Sequence, residues 1–262
     1  MPQDAGFGFR FRRPTPVVGA TLVVLLAVWI ITAVAVRTEA GAEVVDALLL
    51  QPRLVLRGQH LWGLITYAGL HSLDDTGHLL MNGLIFYFFA PDLETLWGRS
   101  RFGLFMLLTA LGGSVFVVGA YVIGLSAGAG VLGFSSVVMG VTIAWGLTYP
   151  ERELFLLFFR LKGIHLVYVT IGMQILTGLS REHISASGHF GGMAVGALFA
   201  ATQSGSGVRR WWLKRRLARL QAESASLGGL RDARASRRAA GPPLRVIQGG
   251  GSDPPKDKRY LN

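Results

Sequence analysis

The amino-acid sequence predicts an all-α membrane protein with six transmembrane helices and a long interfacial loop between the first two. Composition is the first observation behind this prediction, because 51% of the 262 residues are hydrophobic, 16% are charged and the mean hydropathy is +0.44. The second observation is that the apolar residues form long runs separated by short charged segments. A chain of this kind needs lipid around much of its surface, which excludes an ordinary soluble protein.

The first apolar run extends from Val17 to Val36 and contains no charged residue. At about 1.5 Å per residue, a helix of this length spans the ~30 Å hydrocarbon core of a bilayer. A cleaved signal peptide is the alternative, since Ala33-Val34-Ala35 resembles a cleavage site. The run exceeds the roughly 7 to 15 apolar residues of a signal peptide, so we predict an uncleaved helix after a polar cytoplasmic segment, residues 1–16.

A mixed segment, residues 37–76, follows and carries charges together with Trp62 and Tyr67. Amphipathic stretches with Trp and Tyr lie at the headgroup level of membranes, so we predict an interfacial loop here. Five more apolar runs predict the remaining transmembrane helices, over residues 78–96, 102–125, 132–149, 164–179 and 187–202. These spans define a six-helix membrane domain over residues 17–207.

Positive charge is concentrated at the C-terminal end of the chain. Residues 208–262 contain 14 Lys and Arg against 4 Asp and Glu, whereas residues 1–207 contain 12 against 11. A basic segment after a membrane helix is explained by cytoplasmic retention and attraction to anionic lipid, so nucleic acid is not an expected partner. The composition also predicts that this basic cytoplasmic tail is largely disordered after about residue 224.

The distribution of Lys and Arg predicts the orientation of the chain. Both ends and the turns at 97–101 and 151–162 carry basic residues, whereas the 37–76 loop holds five acidic and three basic residues. By the positive-inside rule, both termini are cytoplasmic and the long loop lies outside. We therefore predict a multi-pass protein of the plasma (inner) membrane.

Polar residues within the apolar runs form a pattern of their own. Ser135 lies in the small-residue segment Gly133–Gly140, and His189 lies in a second glycine-rich run. His78 and Asn82 are four residues apart, which places them on one face of a helix. An ionisable side chain at membrane depth is a functional hypothesis by default, and the predicted orientation places these residues towards the outer leaflet.

This combination resembles the rhomboid intramembrane serine proteases over about residues 62–202. Further matches at the end of the second predicted helix and the turn after it are Glu94, Gly98, Arg101 and Phe102. Another is His71, upstream of His78. The resemblance implies a rhomboid fold and a serine endopeptidase that cuts transmembrane segments of other proteins. It implies no cofactor and no metal, and it leaves the oligomeric state open.

Within this resemblance, Ser135 is the nucleophile and His189 the general base. A Ser hydroxyl needs a neighbouring base to take its proton, and imidazole exchanges protons near neutral pH. The oxyanion of the tetrahedral intermediate needs preorganised donors, which the Ser135 backbone N–H, His78 and Asn82 can supply. No carboxylate lies near His189 in the sixth predicted helix, so we expect a two-residue catalytic unit.

Small residues predict how the helices of Ser135 and His189 approach each other. Glycines three and seven residues after His189 share its helix face, and a second ridge of small residues follows Ser135. We expect the two ridges to pack closely and to bring the imidazole to the hydroxyl. The packing residues expected near the site are Gly133, Ser136, Gly140, Gly192 and Gly196.

Three positions depart from the family pattern and keep other functions open. Ser136 follows the nucleophile where the family normally has Gly, Gly63 replaces the Arg of a Trp-Arg pair, and Met139 replaces an aromatic residue. One alternative is a pseudoprotease that binds client helices without cutting, and another is a channel or transporter with a histidine proton path. The other histidines are expected to be interfacial or solvated, so they predict no metal site: His60, His71, His165 and His183.

Overall fold

The computed structural model describes residues 13–125, 128–156, 159–179, 183–204 and 207–239, and the fold is mostly helical. The α-helices of the described residues are α1 Pro16–Ala35, α2 Glu39–Leu48, α3 Pro52–Val55, α4 Gly63–Thr66, α5 Thr76–Trp97, α6 Arg99–Val122, α7 Ser135–Thr148, α8 Gly163–Leu179, α9 His183–Ser204 and α10 Gly207–Ala239. A 3-10 turn, Tyr67–Gly69, follows α4. The chain divides into two units between Trp212 and Leu213.

Each of the six predicted spans coincides with a helix. By length and composition, α1 and α6 are long and apolar enough to cross a membrane, and α7 and α8 are shorter apolar helices. The helices over the second and sixth predicted spans, α5 and α9, have 22 residues each. Among the described residues, two helices are thus clearly long and apolar enough to cross a membrane, and a six-span topology stays a prediction.

The segment between α1 and α5 is more regular than the predicted loop, because it contains α2, α3, α4 and the 3-10 turn. Trp62 donates its indole N–H to the Ala47 carbonyl over 2.7 Å, and this bond ties the start of α4 to α2. Leu50 pairs with Val131 as an isolated antiparallel bridge. The segment is thereby fastened to the stretch of chain that leads into α7.

The all-α prediction does not hold for one short segment. Strands β1 (Glu153–Leu156) and β2 (Phe159–Lys162) form a two-stranded antiparallel hairpin between α7 and α8. The sequence pattern indicated a turn with basic residues over 151–162 at this place. Leu and Phe suit both a strand and an interfacial helix, so a short apolar run does not distinguish the two.

Helix α5 carries two of the candidate site residues and is fixed at both ends. At its start, Asp75 accepts a hydrogen bond from the backbone N–H of His78 over 3.2 Å, which is a standard helix cap. Near its end, the buried Glu94 carboxylate accepts from the Val17 and Val18 N–H groups over 3.1 and 3.0 Å, and from the Thr15 hydroxyl. A carboxylate at the positive end of α1 satisfies otherwise unpaired donors, and so it holds α1 against α5.

The last helix, α10, continues past residue 224, where the composition predicts disorder. The structure differs from that prediction for residues 225–239, and the rest of the predicted disordered tail, residues 240–262, lies outside the described residues. Exposed leucines recur along the helix at positions 213, 217, 220 and 227. This spacing puts them on one face, with basic residues over much of the remaining surface.

Candidate active site

Ser135 and His189 lie within hydrogen-bond distance of each other. Ser135 is the first residue of α7, His189 lies in α9, and the distance from Ser135 Oγ to His189 Nε2 is 2.7 Å. The chain turns into α7 at Gly133, whose φ of +123° is one that L side chains rarely adopt. This turn leaves Ser135 half-buried at the helix end, where its hydroxyl faces the imidazole.

Close approach of α7 and α9 brings these two side chains together. A Cβ added at Gly192 would lie 2.0 Å from the Ser136 carbonyl oxygen, and one at Gly196 would lie 2.4 Å from the Gly140 carbonyl oxygen. Both distances are far below contact distance. The backbones of α7 and α9 can therefore approach this closely only because Gly192 and Gly196 have no side chain. The predicted contact between the two ridges is present in the structure.

The side-chain oxyanion candidates, His78 and Asn82, contact the turn before Ser135 directly or through another residue. A Cβ at Gly133 would lie 2.9 Å from His78 Cε1 and 3.7 Å from Ser135 Oγ, so the His78 ring borders the turn that carries Ser135. Asn82 is buried, and its side-chain amide nitrogen lies 3.2 Å from Nε2 of His71. The same His71 nitrogen accepts from the Phe134 backbone N–H over 3.4 Å. His71 thus connects Asn82 to the turn before Ser135.

The prediction of an interfacial or solvated His71 is therefore wrong, because the residue is only 2% exposed. Burial and, to a smaller extent, the charge of nearby His78 lower the pKa of His71 to about 4. The ring is neutral near pH 7, which leaves Nε2 with a lone pair for Asn82 and Phe134. Its sequence signal was its position upstream of His78, which gives no information about burial.

Gln174 in α8 is a site residue that the sequence analysis missed. Its Oε1 lies 2.8 Å from Nδ1 of His189, and its side chain is buried. The expected two-residue unit therefore has a third polar neighbour. The signal in the sequence was a carboxamide within the apolar run 164–179, where a polar side chain needs a partner.

A family model described as the Rhomboid domain matches residues 58–206 of the chain. The chain belongs to the rhomboid family. No curated protein matches it in sequence. The matched range includes Ser135, His189, His78, Asn82 and Gln174, so all five residues lie within the rhomboid domain.

The residue after the nucleophile, Ser136, is buried and hydrogen-bonded in this rhomboid protein. Its side chain is buried, and its Oγ lies 2.8 Å from the Tyr67 hydroxyl oxygen, which itself donates to the Ala110 carbonyl over 2.8 Å. Because Tyr67 has one hydroxyl proton and uses it on Ala110, Ser136 is the donor in the bond between them. Gly113 provides the space, since a Cβ there would lie 2.6 Å from Ser136 Cβ.

The other two departures from the rhomboid pattern also have packing reasons. A Cβ at Gly63 would lie 2.7 Å from the Leu49 carbonyl oxygen, so an Arg at this position would displace the adjoining backbone. Met139 receives the side-chain N–H of Gln174 at its sulfur over 3.8 Å. The Met139 sulfur thus contacts the same Gln174 amide whose oxygen lies 2.8 Å from His189 Nδ1.

Proposed function

We propose that this rhomboid protein is an intramembrane serine endopeptidase that cleaves transmembrane segments of other membrane proteins. The observation that carries the proposal is the 2.7 Å distance between Ser135 Oγ and His189 Nε2. This is the distance at which an imidazole takes a proton from a hydroxyl during attack. The rhomboid domain supports the substrate class, because the family acts on membrane proteins in lipid.

In the first half of the reaction, Ser135 Oγ attacks the carbonyl carbon of the scissile peptide while its proton moves to His189 Nε2. The carbonyl oxygen becomes an oxyanion, and the proposed donors that stabilise it are the Ser135 N–H, His78 and Asn82. The C–N bond then breaks, and His189 gives its proton to the departing amine. An ester between Ser135 and the N-terminal part of the substrate remains.

The second half of the reaction uses the same groups with water as the nucleophile. His189 takes a proton from the water, whose oxygen attacks the ester carbonyl. Collapse of the second tetrahedral intermediate breaks the ester bond and returns the proton to Ser135 Oγ. The products are two shorter polypeptides, and the enzyme is regenerated without a cofactor.

The proposal includes a topology with six membrane spans and both termini in the cytoplasm. The charge distribution supports it, since basic residues dominate both ends of the chain and the 37–76 segment is net acidic. With this orientation, the start of α7 lies on the outer side of the plasma membrane. Cleavage is then expected near the outer end of the substrate helix.

The test is labelling of Ser135 by a fluorophosphonate probe together with cleavage of a model transmembrane substrate in liposomes. Wild type should react with the probe and cut the substrate. Ser135→Ala and His189→Ala should do neither while remaining folded and inserted. Substantial cleavage by either variant would overturn the proposed pair.

A pseudoprotease that binds client helices is the competing function, and the departure at Ser136 is the observation that favours it. The Tyr67 hydrogen bond and the space at Gly113 argue against an inactivating effect of Ser136. The variant Ser136→Gly distinguishes the two functions and should react at least as fast as wild type. An unlabelled wild type with a labelled Ser136→Gly would make client binding the better assignment.

A further inference from the structure

The environment of Gln174 fixes which end of its amide faces His189. The nitrogen end lies 3.8 Å from the Met139 sulfur and the oxygen end lies 2.8 Å from His189 Nδ1. A thioether has no hydrogen to donate, so its neighbour has to be the donor end of the amide. The reverse orientation would place the amide oxygen against the sulfur and leave it without a donor.

This orientation determines the tautomer of His189. The Gln174 oxygen can only accept, so the proton of a neutral His189 ring belongs on Nδ1. The lone pair is then on Nε2, which lies 2.7 Å from Ser135 Oγ. A ring with its proton on Nε2 would instead point an N–H at the hydroxyl and would be unable to accept the proton that it has to remove.

We propose that Gln174 is a positioning residue that holds His189 in the tautomer needed for a general base. The proposal rests on the proposed proteolytic function and extends the expected two-residue unit by one residue. Gln174 has the role that a carboxylate has in a Ser-His-Asp triad, but with a neutral group. A neutral amide suits this buried place on an apolar helix, because an ionised carboxylate there would have to be desolvated.

The experiment compares Gln174→Met and Gln174→Glu with wild type in the full-length protein. Methionine keeps the length of the side chain and removes the acceptor, whereas glutamate keeps an acceptor oxygen. Gly172→Ala is the control in the same helix, because a Cβ there meets nothing within 4 Å. The measurements are the rate of Ser135 labelling by a fluorophosphonate, kcat and KM for a model substrate, and the melting temperature.

Gln174→Met should lose about 10- to 100-fold in kcat and in labelling rate, the range known for hydrogen-bond partners that orient metal-bound histidines. KM should stay within about twofold, since Gln174 holds the base and not the substrate. Gln174→Glu should recover most of the lost rate, because even a protonated carboxyl keeps an oxygen that accepts from Nδ1, and a purely structural role would not require this recovery. Full activity in Gln174→Met, or equal loss in both variants, would overturn the proposal.

A spectroscopic measurement tests the tautomer without depending on catalysis. In ¹⁵N-histidine-labelled protein, the His189 signals are assigned by comparison with His189→Ala. Wild type should carry the proton on Nδ1, and Gln174→Met should show a mixture of tautomers. A wild-type ring protonated on Nε2 would refute the positioning role even if the protease is active. A wild type with the expected tautomer that never reacts with the probe would refute the proposed function alone.

Discussion

Replacement of Gly192 by Ala tests whether the contact between α7 and α9 sets the geometry of the site. The new Cβ would lie 2.0 Å from the Ser136 carbonyl oxygen, 2.7 Å from its carbonyl carbon and 3.1 Å from its Cα. All three are backbone atoms next to Ser135, so no side chain can rotate away to relieve the overlap. The helices have to separate.

The size of this separation follows from the distances. Ordinary contact begins at 3.4 Å, so the Ser136 carbonyl has to retreat by about 1.4 Å from the new methyl group. If His189 moves with α9, its 2.7 Å contact with Ser135 lengthens towards about 4 Å, beyond hydrogen-bond reach. A misplacement of about 1 Å can cost roughly 100-fold in rate, and overpacking of this kind typically costs about 1–3 kcal/mol of stability.

The assay is cleavage of a model transmembrane substrate in liposomes, with thermal unfolding of the purified protein measured in parallel. Gly192→Ala should lose at least about 100-fold in kcat while the protein still folds. Gly119→Ala in α6 is the matched control, because a Cβ there meets nothing within 4 Å and activity should be unchanged. Activity of Gly192→Ala within about twofold of wild type would show that the helix contact does not determine the site geometry.

Three further predictions concern the oxyanion donors, the topology and the pH dependence. His78→Ala and Asn82→Ala should each lower kcat in a graded way, since the backbone donor survives, and a wild-type rate in the double variant would exclude both from the oxyanion site. A cysteine at Asp46 should react with an impermeant reagent from outside intact cells and one at Ser252 should not, whereas the reverse pattern would invert the topology. Because the pKa of His71 is about 4 in the fold against 6.5 for an ordinary His, the unfolded chain takes up the proton first as the pH falls. Stability should therefore decline between about pH 6.5 and pH 4, by about 2 kcal/mol after allowance for solvent screening. Thermal unfolding against pH measures this decline, and a His71→Gln variant with the same decline would contradict the assignment.

The helices were predictable because their signal is local. The runs that became α1, α6, α7 and α8 are apolar over whole helix lengths, and lipid leaves few alternatives for such segments. The hairpin of β1 and β2 and the helical continuation of α10 were missed for the opposite reason. Short apolar runs and charged stretches have weak preferences, and their structure depends on context that the sequence does not display.

The site was predictable to the extent that single residues carry chemistry. Ser135 and His189 stand out because nucleophiles and bases are rare in apolar runs, and their partnership needs only that two ridges of small residues pack. The roles of His71 and Gln174 depend on which atoms face each other across elements distant in sequence. Gln174 lies 15 residues from His189 in the chain and His71 lies 63 residues from Phe134, so no local pattern indicates either contact.

Ser136 shows why a departure from a family pattern cannot be interpreted from one position. Helices α6 and α7 can pack closely only if the total side-chain volume between them is small. The small residue that keeps this volume low can lie on either helix. Here the added CH₂OH of Ser136 faces Gly113, where even a Cβ would lie 2.6 Å from both Ser136 Cβ and the Tyr67 hydroxyl. The hydroxyl of Ser136 meanwhile donates to Tyr67, so the extra group is neither crowded nor unpaired. With Gly113 opposite Ser136, the Ser135 to His189 distance is 2.7 Å, so the departure that most favours an inactive protein is compatible with the catalysis that we propose.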